Sequence, residues 1–244
     1  MPDITMKVYD REVVGVQNRY DDVMMGRDML CENDEMHFSD GKIYGIWSHC
    51  GGGGQAVAQL LTGKTPIIRE DISVDGVRYN EKKKIEIGWM MGEGIEDGIV
   101  QMSVKDQIMQ GLKKADLPFY WMDVVKKFDL TEDNLKKKLN KVGHERWRAS
   151  AAIGYAHGMR LYVFPWVNYA TLKESIIMGA GFGFFAKALR DIGATVIVPS
   201  DSRQILTYIT DEIIDLKNPR FGDWDMLYEY MRNNDFLGKF DDDF

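Results

Sequence analysis

Cysteine is scarce in this sequence. Only Cys31 and Cys50 occur in 244 residues, and their spacing suits neither a metal-ligand set nor a disulfide framework. A basic excess is also missing. The formal charge is −7 and the pI about 5.2, which removes the global positive field that nucleic acid or anionic lipid would need. The clusters Lys82–Lys84 and Lys136–Lys138 are short and read as solvated ends of elements. No internal repeat or linker is evident, and the polar start MPDITMKVYD shows no secretory signal. The least polar stretch, SIIMGAGFGFFAKALRDIG, meets charges too early to span a bilayer. The expected location is cytoplasmic. Association with a membrane is expected only peripherally, through a partner and without direct insertion.

What is present is enough apolar residue, 45% of the chain, to bury one α/β core with a small appended subdomain. The first third reads as strands. ITMKVYD alternates, and MHFSDGKIYGIWS and ISVDGVRYN each place an Asp-Gly turn between strand-like runs, as in hairpins. Residues 103–139 read as helices, with a Ser cap on SVKDQIMQGL and a Thr cap on LTEDNLKKKL. RWRASAAIGYAHG is a further helix that leads into the apolar strand RLYVF (160–164). The spacing then predicts one helix over LKESIIMGAGFGFFAKALRDIG and a second buried strand, ATVIVPS (194–200). Apolar strands alternating with helices imply a parallel sheet covered on both faces.

The stretch YGIWSHCGGGGQAVAQLLTG (44–63) has the layout of a phosphate-cradling loop: an apolar run, a glycine-rich turn and an amphipathic helix. Gly51, Gly52 and Gly53 keep the freedom such a nest needs. Gly54 stands where a phosphate-binding lysine belongs, and Gln55 where a magnesium-binding Ser or Thr belongs. The loop is therefore either a weakened site built on backbone and a helix N-terminus, or a plain glycine turn that binds nothing. Without a ligand to organise it, it is expected to be mobile or collapsed. Val57, Leu60 and Leu61 are expected to anchor the helix on the sheet.

Taken in order, these segments resemble the ATP-binding cassette of ABC transporters over nearly the whole chain. DGKIYGI (40–46) is similar to the strand entering the phosphate loop, and KKIEIGWMMGE (83–93) to the strand leading to the Q-loop. LNKVGHERWRASAAI (139–153) is similar to the signature segment with its helix, and TDEIIDLKNPR (210–220) to the strand after the switch histidine. The resemblance implies an α/β fold with a RecA-like P-loop core, an N-terminal antiparallel β subdomain and an inserted helical subdomain. Residues 1–102 and 156–244 would form the core with its β subdomain, and 103–155 the helical part. Within that frame the functional positions differ. Pro165 and Trp166 follow RLYVF where the family carries an Asp for the metal and a Glu for the attacking water. Asn140, Lys141, Val142 and Gly143 replace the Ser and glycine pair of the signature. Gly92 falls at the Q-loop glutamine, and Asp201 at the switch histidine. Tyr20, after VQNR, stands where the family's aromatic stacks on adenine.

Loss of lysine, metal ligand and catalytic carboxylate removes the groups that stabilise a transferring phosphoryl. The expected function is thus a pseudo-ATPase subunit with no catalytic residues and no metal site, in which ATP and magnesium bind weakly if at all. Its expected partners are another cassette, in a homo- or heterodimer, and a membrane-spanning transporter subunit, with no role for nucleic acid. The alternatives are a slow ATPase using Lys64 or Lys141 as a surrogate cation, and a cytosolic scaffold unrelated to transport. Trp121, Trp147, Trp166 and Trp224 are either partner contacts or core.

Overall fold

Alternation in the first strand, β1 (Ile4–Lys7), buries Ile4 and Met6 and leaves Thr5 and Lys7 half-buried. A computed structural model describes residues 3–14, 27–79, 87–95, 102–216 and 218. The chain continues through β2 (Arg11–Val14), β3 (Arg27–Leu30), β4 (Met36–Phe38), β5 (Ile43–Trp47) and helix α1 (Gly54–Leu61). Strands β6 (Asp71–Val74) and β7 (Val77–Tyr79) follow, then β8 (Gly88–Met90). The order β4-β1-β6-β7 forms an antiparallel sheet, and β2 pairs with β3 in a separate two-stranded ribbon.

The two Asp-Gly pairs behave differently. Asp75 and Gly76 both adopt left-handed backbone (φ 52° and 73°) and close the β6–β7 hairpin, the conformation a two-residue hairpin loop favours. Asp40-Gly41 turns the chain as well, but no hairpin follows. β4 pairs with β1, whereas β5 crosses into the other sheet. The reason lies in β5 itself: Ile43, Tyr44 and Ile46 are all buried, so both of its faces need cover that a two-stranded ribbon cannot give.

That other sheet has five strands, all parallel, in the order β11-β5-β10-β9-β8, with β9 (Leu161–Val163), β10 (Thr195–Ser200) and β11 (Glu212–Asp215). Its residues alternate between two cores. Tyr44, Ile46, Leu161, Val163 and Ile197 pack with α1 and the antiparallel sheet. Ile43, Tyr162, Phe164, Val196 and Val198 pack on the opposite side with the remaining helices. Val57, Leu60 and Leu61 of α1 are fully buried in the first of these.

The helices after β8 are α2 (Val104–Lys114), α3 (Trp121–Lys127), α4 (Glu132–Leu135) and α5 (Arg146–Ala156), with a short 3-10 turn at Leu139–Lys141. The expected Ser cap is present: Ser103 Oγ accepts from the Asp106 N–H at 3.2 Å. The single helix expected over 172–193 is instead two pieces. A π-helix spans Thr171–Gly179, and α6 (Phe182–Arg190) begins after Gly181, whose φ of 66° breaks the run. Gly179 admits the His144 ring, since a Cβ there would sit 2.9 Å from its Cγ. The last helix, α7 (Arg203–Ile209), starts at Ser202, whose hydroxyl accepts from the Ile205 N–H. Trp147 and Trp166 are core residues and not surface contacts, and Trp121 is partly buried against the same core. Trp224 lies outside the described residues. The architecture is the α/β, RecA-like P-loop fold with an antiparallel β subdomain that the sequence suggests.

Candidate functional site

β5 carries the chain to Trp47, and residues 48–53 turn it into α1. Gly53 is the hinge of this turn, at φ 102°, a conformation open to glycine and strained for other residues. Its position is also tight, because a Cβ would meet the Met29 carbonyl oxygen at 3.0 Å. Gly52 N–H donates to the His49 carbonyl (2.9 Å), and Gly51 offers its own carbonyl to Met29 N–H (3.0 Å). Strand β3 therefore lies along the loop. From it Asp28 projects into the turn with 1% of its surface exposed. Gly53 N–H donates to Asp28 Oδ1 and Ala56 N–H to Oδ2, both at 2.7 Å. Burial pushes this carboxyl above its ordinary value, opposed by hydrogen bonds from the backbone of Gly53, Ala56, Met29 and Gln55. The donors that a phosphate loop offers to an anion are thus engaged by a carboxylate of the chain itself.

On the other flank stands Trp166. β9 ends at Val163, Phe164 N–H still bonds to the Ile197 carbonyl (2.8 Å), and Pro165 and Trp166 follow, both buried. Trp166 is held at two points. Its backbone N–H donates to Gln55 Oε1 at 2.6 Å, and its indole Nε1–H donates to the Ser48 carbonyl at 2.9 Å. The ring lies against Gly54, where a Cβ would come within 2.8 Å of Trp166 Cδ1. Gln55 is 3% exposed, so its amide serves this tether and not the solvent. Ser48, 2% exposed, presents a hydroxyl with no hydrogen-bond partner among the described residues, beside Gly54.

Gly51, Gly52, Gly53, Gly54, Gln55 and Trp166 are therefore brought together, and the remaining predicted positions are spread around them. Asp201 follows β10, and its carbonyl accepts from Trp47 Nε1–H at 3.0 Å. It faces His49, whose pKa is lowered by burial against the opposing pull of the Asp201 charge. Gly92 is buried at φ 80° just beyond β8. Next to it, Glu93 forms an ion pair with Lys64 at the surface, and its carbonyl accepts from Ser150 Oγ at 2.6 Å. Lys64 thus has a carboxylate partner away from the glycine loop. Asn140, Lys141, Val142 and Gly143 line a different groove of about 350 Å³ with His144, Arg146, Trp147, Thr171 and Ser175. Tyr20 lies outside the described residues. Among the described residues no cluster of three or more His, Cys, Asp or Glu is placed to hold a metal ion, and no helix is long and apolar enough to cross a membrane.

Comparison with solved structures places the architecture. An ATP-binding cassette of an ABC transporter, in its ADP conformation, superposes with a TM-score of 0.64 at 10% identity, over 98% of this chain and 100% of that one. The fold is that of an ATP-binding cassette. A dimeric bacterial ABC transporter cassette matches at a TM-score of 0.62 and 15% identity, covering 88% of this chain and 94% of the other. The protein cbiO1 of Clostridium perfringens, part of the ABC transporter complex cbiONQ, matches at 0.60 and 14% identity, covering 97% and 98%. No protein-family model and no curated protein matches the sequence. Identities this low speak for the fold alone.

Within the cassette fold, the residue that reading the sequence missed is Asp28. An acidic residue in the short strand RDML resembles any solvated strand charge. Only the pairing of β3 alongside the loop turns it inward. The one local hint is its burial-competent place two residues before the apolar Leu30, on the same face of the strand.

Proposed function

We propose that this chain is a non-hydrolysing ATP-binding-cassette subunit, a structural or regulatory partner within an ABC transporter complex. The observation that carries this reading is the seating of Trp166. It stands where the cassette's water-polarising glutamate belongs, closes over Gly54 and engages Gln55. An indole and a proline cannot accept a proton from water or order a cation, and Gly54 offers no ammonium group. With Asp28 engaging the nest as well, the residues present do not fit a magnesium–triphosphate, whose phosphates would meet a carboxylate in place of a cation.

The cassette fold of this chain spans nearly the full length of solved relatives that are themselves dimeric or part of a transporter complex. The proposed partners are a second cassette and a membrane-spanning subunit, with the chain held peripherally at the cytoplasmic face. Residues 103–155 are proposed as the helical subdomain inserted into a core made of 1–102 and 156–244. Purified chain given 1 mM Mg·ATP is expected to release phosphate at the protein-free rate; sustained turnover would contradict the proposal and favour a slow ATPase.

A further inference from the structure

The phosphate loop of this chain is wound, yet no lysine holds it. Three features explain how. Asp28 reaches the nest from β3 and accepts from Gly53 N–H and Ala56 N–H, one bond to each carboxylate oxygen. Its burial at 1% exposure removes water as a competitor. β3 is itself registered to the loop by the Met29 N–H bond to the Gly51 carbonyl and by Asn218, whose Nδ2–H donates to the Met29 carbonyl at 3.1 Å. Both oxygens of Asp28 accept N–H donors, the acceptor pattern of a phosphate edge; these bonds favour the anion against the burial that favours the protonated acid. A separate observation points to an anion larger than a carboxylate. The Ser48 hydroxyl, 98% buried, lies unpartnered beside Gly54, the first residue of α1. A carboxylate fills two acceptor positions, whereas a phosphate carries further oxygens that this donor could serve.

We propose that Asp28 is a built-in surrogate for a phosphate group, occupying a latent anion site and holding the loop in its wound form without any nucleotide. The site stays closed in the wild-type chain because the intramolecular carboxylate is always present at high effective concentration. Removing it opens a cradle for a phosphoryl anion, formed by the N–H groups of Gly53 and Ala56 and the Ser48 hydroxyl.

The test is amide hydrogen exchange at Gly53 and Ala56, with pyrophosphate as the probe. In the wild-type chain these amides are protected without any anion, and pyrophosphate leaves their rates unchanged. In Asp28→Ala they exchange about tenfold to a hundredfold faster, the size of lost hydrogen bonds to a charged group, and pyrophosphate slows them again. Asp28→Asn, which keeps the shape and one acceptor oxygen, gives an intermediate rate. Should the alanine variant fail to fold, the asparagine variant takes the pyrophosphate arm, where exchange is again expected to slow; pyrophosphate without effect on the folded variant overturns the proposal. Unprotected Gly53 and Ala56 amides in the wild-type chain overturn the proposal, as does pyrophosphate acting on wild type and variant alike. The inference rests on the non-hydrolysing reading, and the two fail separately: ATP turnover by the wild-type chain contradicts that reading, while unprotected amides in a chain without turnover contradict this one.

Discussion

Two side chains decide the chemistry of the loop. Asp28 is a buried carboxylate whose pKa lies above the ordinary 3.8 because burial outweighs its backbone hydrogen bonds. A carboxyl with a raised folded-state pKa binds its proton more tightly in the native state. Its contribution to stability is therefore fullest below 3.8 and is lost as pH rises through the folded value. Denaturant melts of wild type and Asp28→Asn across acidic to neutral pH are expected to show wild type losing stability relative to the variant as pH rises through that window. A constant difference would contradict the assignment. Glu70 supplies the opposite sign. Burial raises its pKa, but hydrogen bonds from the Ile68 N–H and from Arg11 outweigh it and leave the pKa below 4.5. Its contribution is present above 4.5 and lost as pH falls through the folded value.

Trp166 and Gly54 form a complementary pair, because the ring occupies the space a side chain at position 54 would need. Trp166→Ala is expected to cost about 3–5 kcal/mol, as for other buried aromatics. Gly54→Ala is expected to cost about 1–3 kcal/mol by overpacking. In the double variant the clash with the ring disappears while the nearer one with Ser48 Oγ remains, so the two costs should fall partly short of additive in a thermal-melt cycle. Simple additivity would mean that the ring does not fill the place of the missing side chain.

At the scale of elements, local rules carried most of the outline. The Asp75-Gly76 hairpin, the Ser103 cap and the two-faced burial of β5, β9 and β10 all follow from turn chemistry and periodicity. Three features did not. Thr131 precedes α4, but its hydroxyl donates to Glu145 Oε2 at 3.0 Å and caps no helix N–H. The other two share a reason. The Asp40-Gly41 turn obeys the same local chemistry as the hairpin, but sheet membership is fixed by which faces of β5 need cover, and that is a tertiary matter. The break between the π-helix and α6 hinges on whether Gly181 adopts a left-handed φ, which a sequence of small residues permits without requiring. Gly181→Ala is therefore expected to destabilise the protein by about 1–2 kcal/mol, since an L-residue is strained there. Gly183→Ala, inside α6 with open space at its Cβ position, is expected to stabilise by up to about 1 kcal/mol. Melting temperatures that move together in the two variants would contradict the break.

Across the whole molecule, the cassette frame was legible because many modest segments appear in one order, and order is what a fold preserves. The site was only half legible. The sequence shows what Gly54, Gln55, Pro165 and Trp166 cannot do. It does not show that the vacated space is refilled, since Asp28 lies 25 residues from Gly53 and Trp166 lies 111 from Gln55. Those contacts turn a missing set of functional groups into a packed alternative. For that reason, restoring a lysine at position 54 alone is not expected to restore nucleotide binding. A cradle filled from within leaves no room for nucleotide, so calorimetric titration of the purified chain with Mg·ATP is expected to show no saturable heat up to millimolar nucleotide. Stoichiometric binding at micromolar concentrations, lost when Gly53 is replaced by a bulky residue, would mean that the cradle is open.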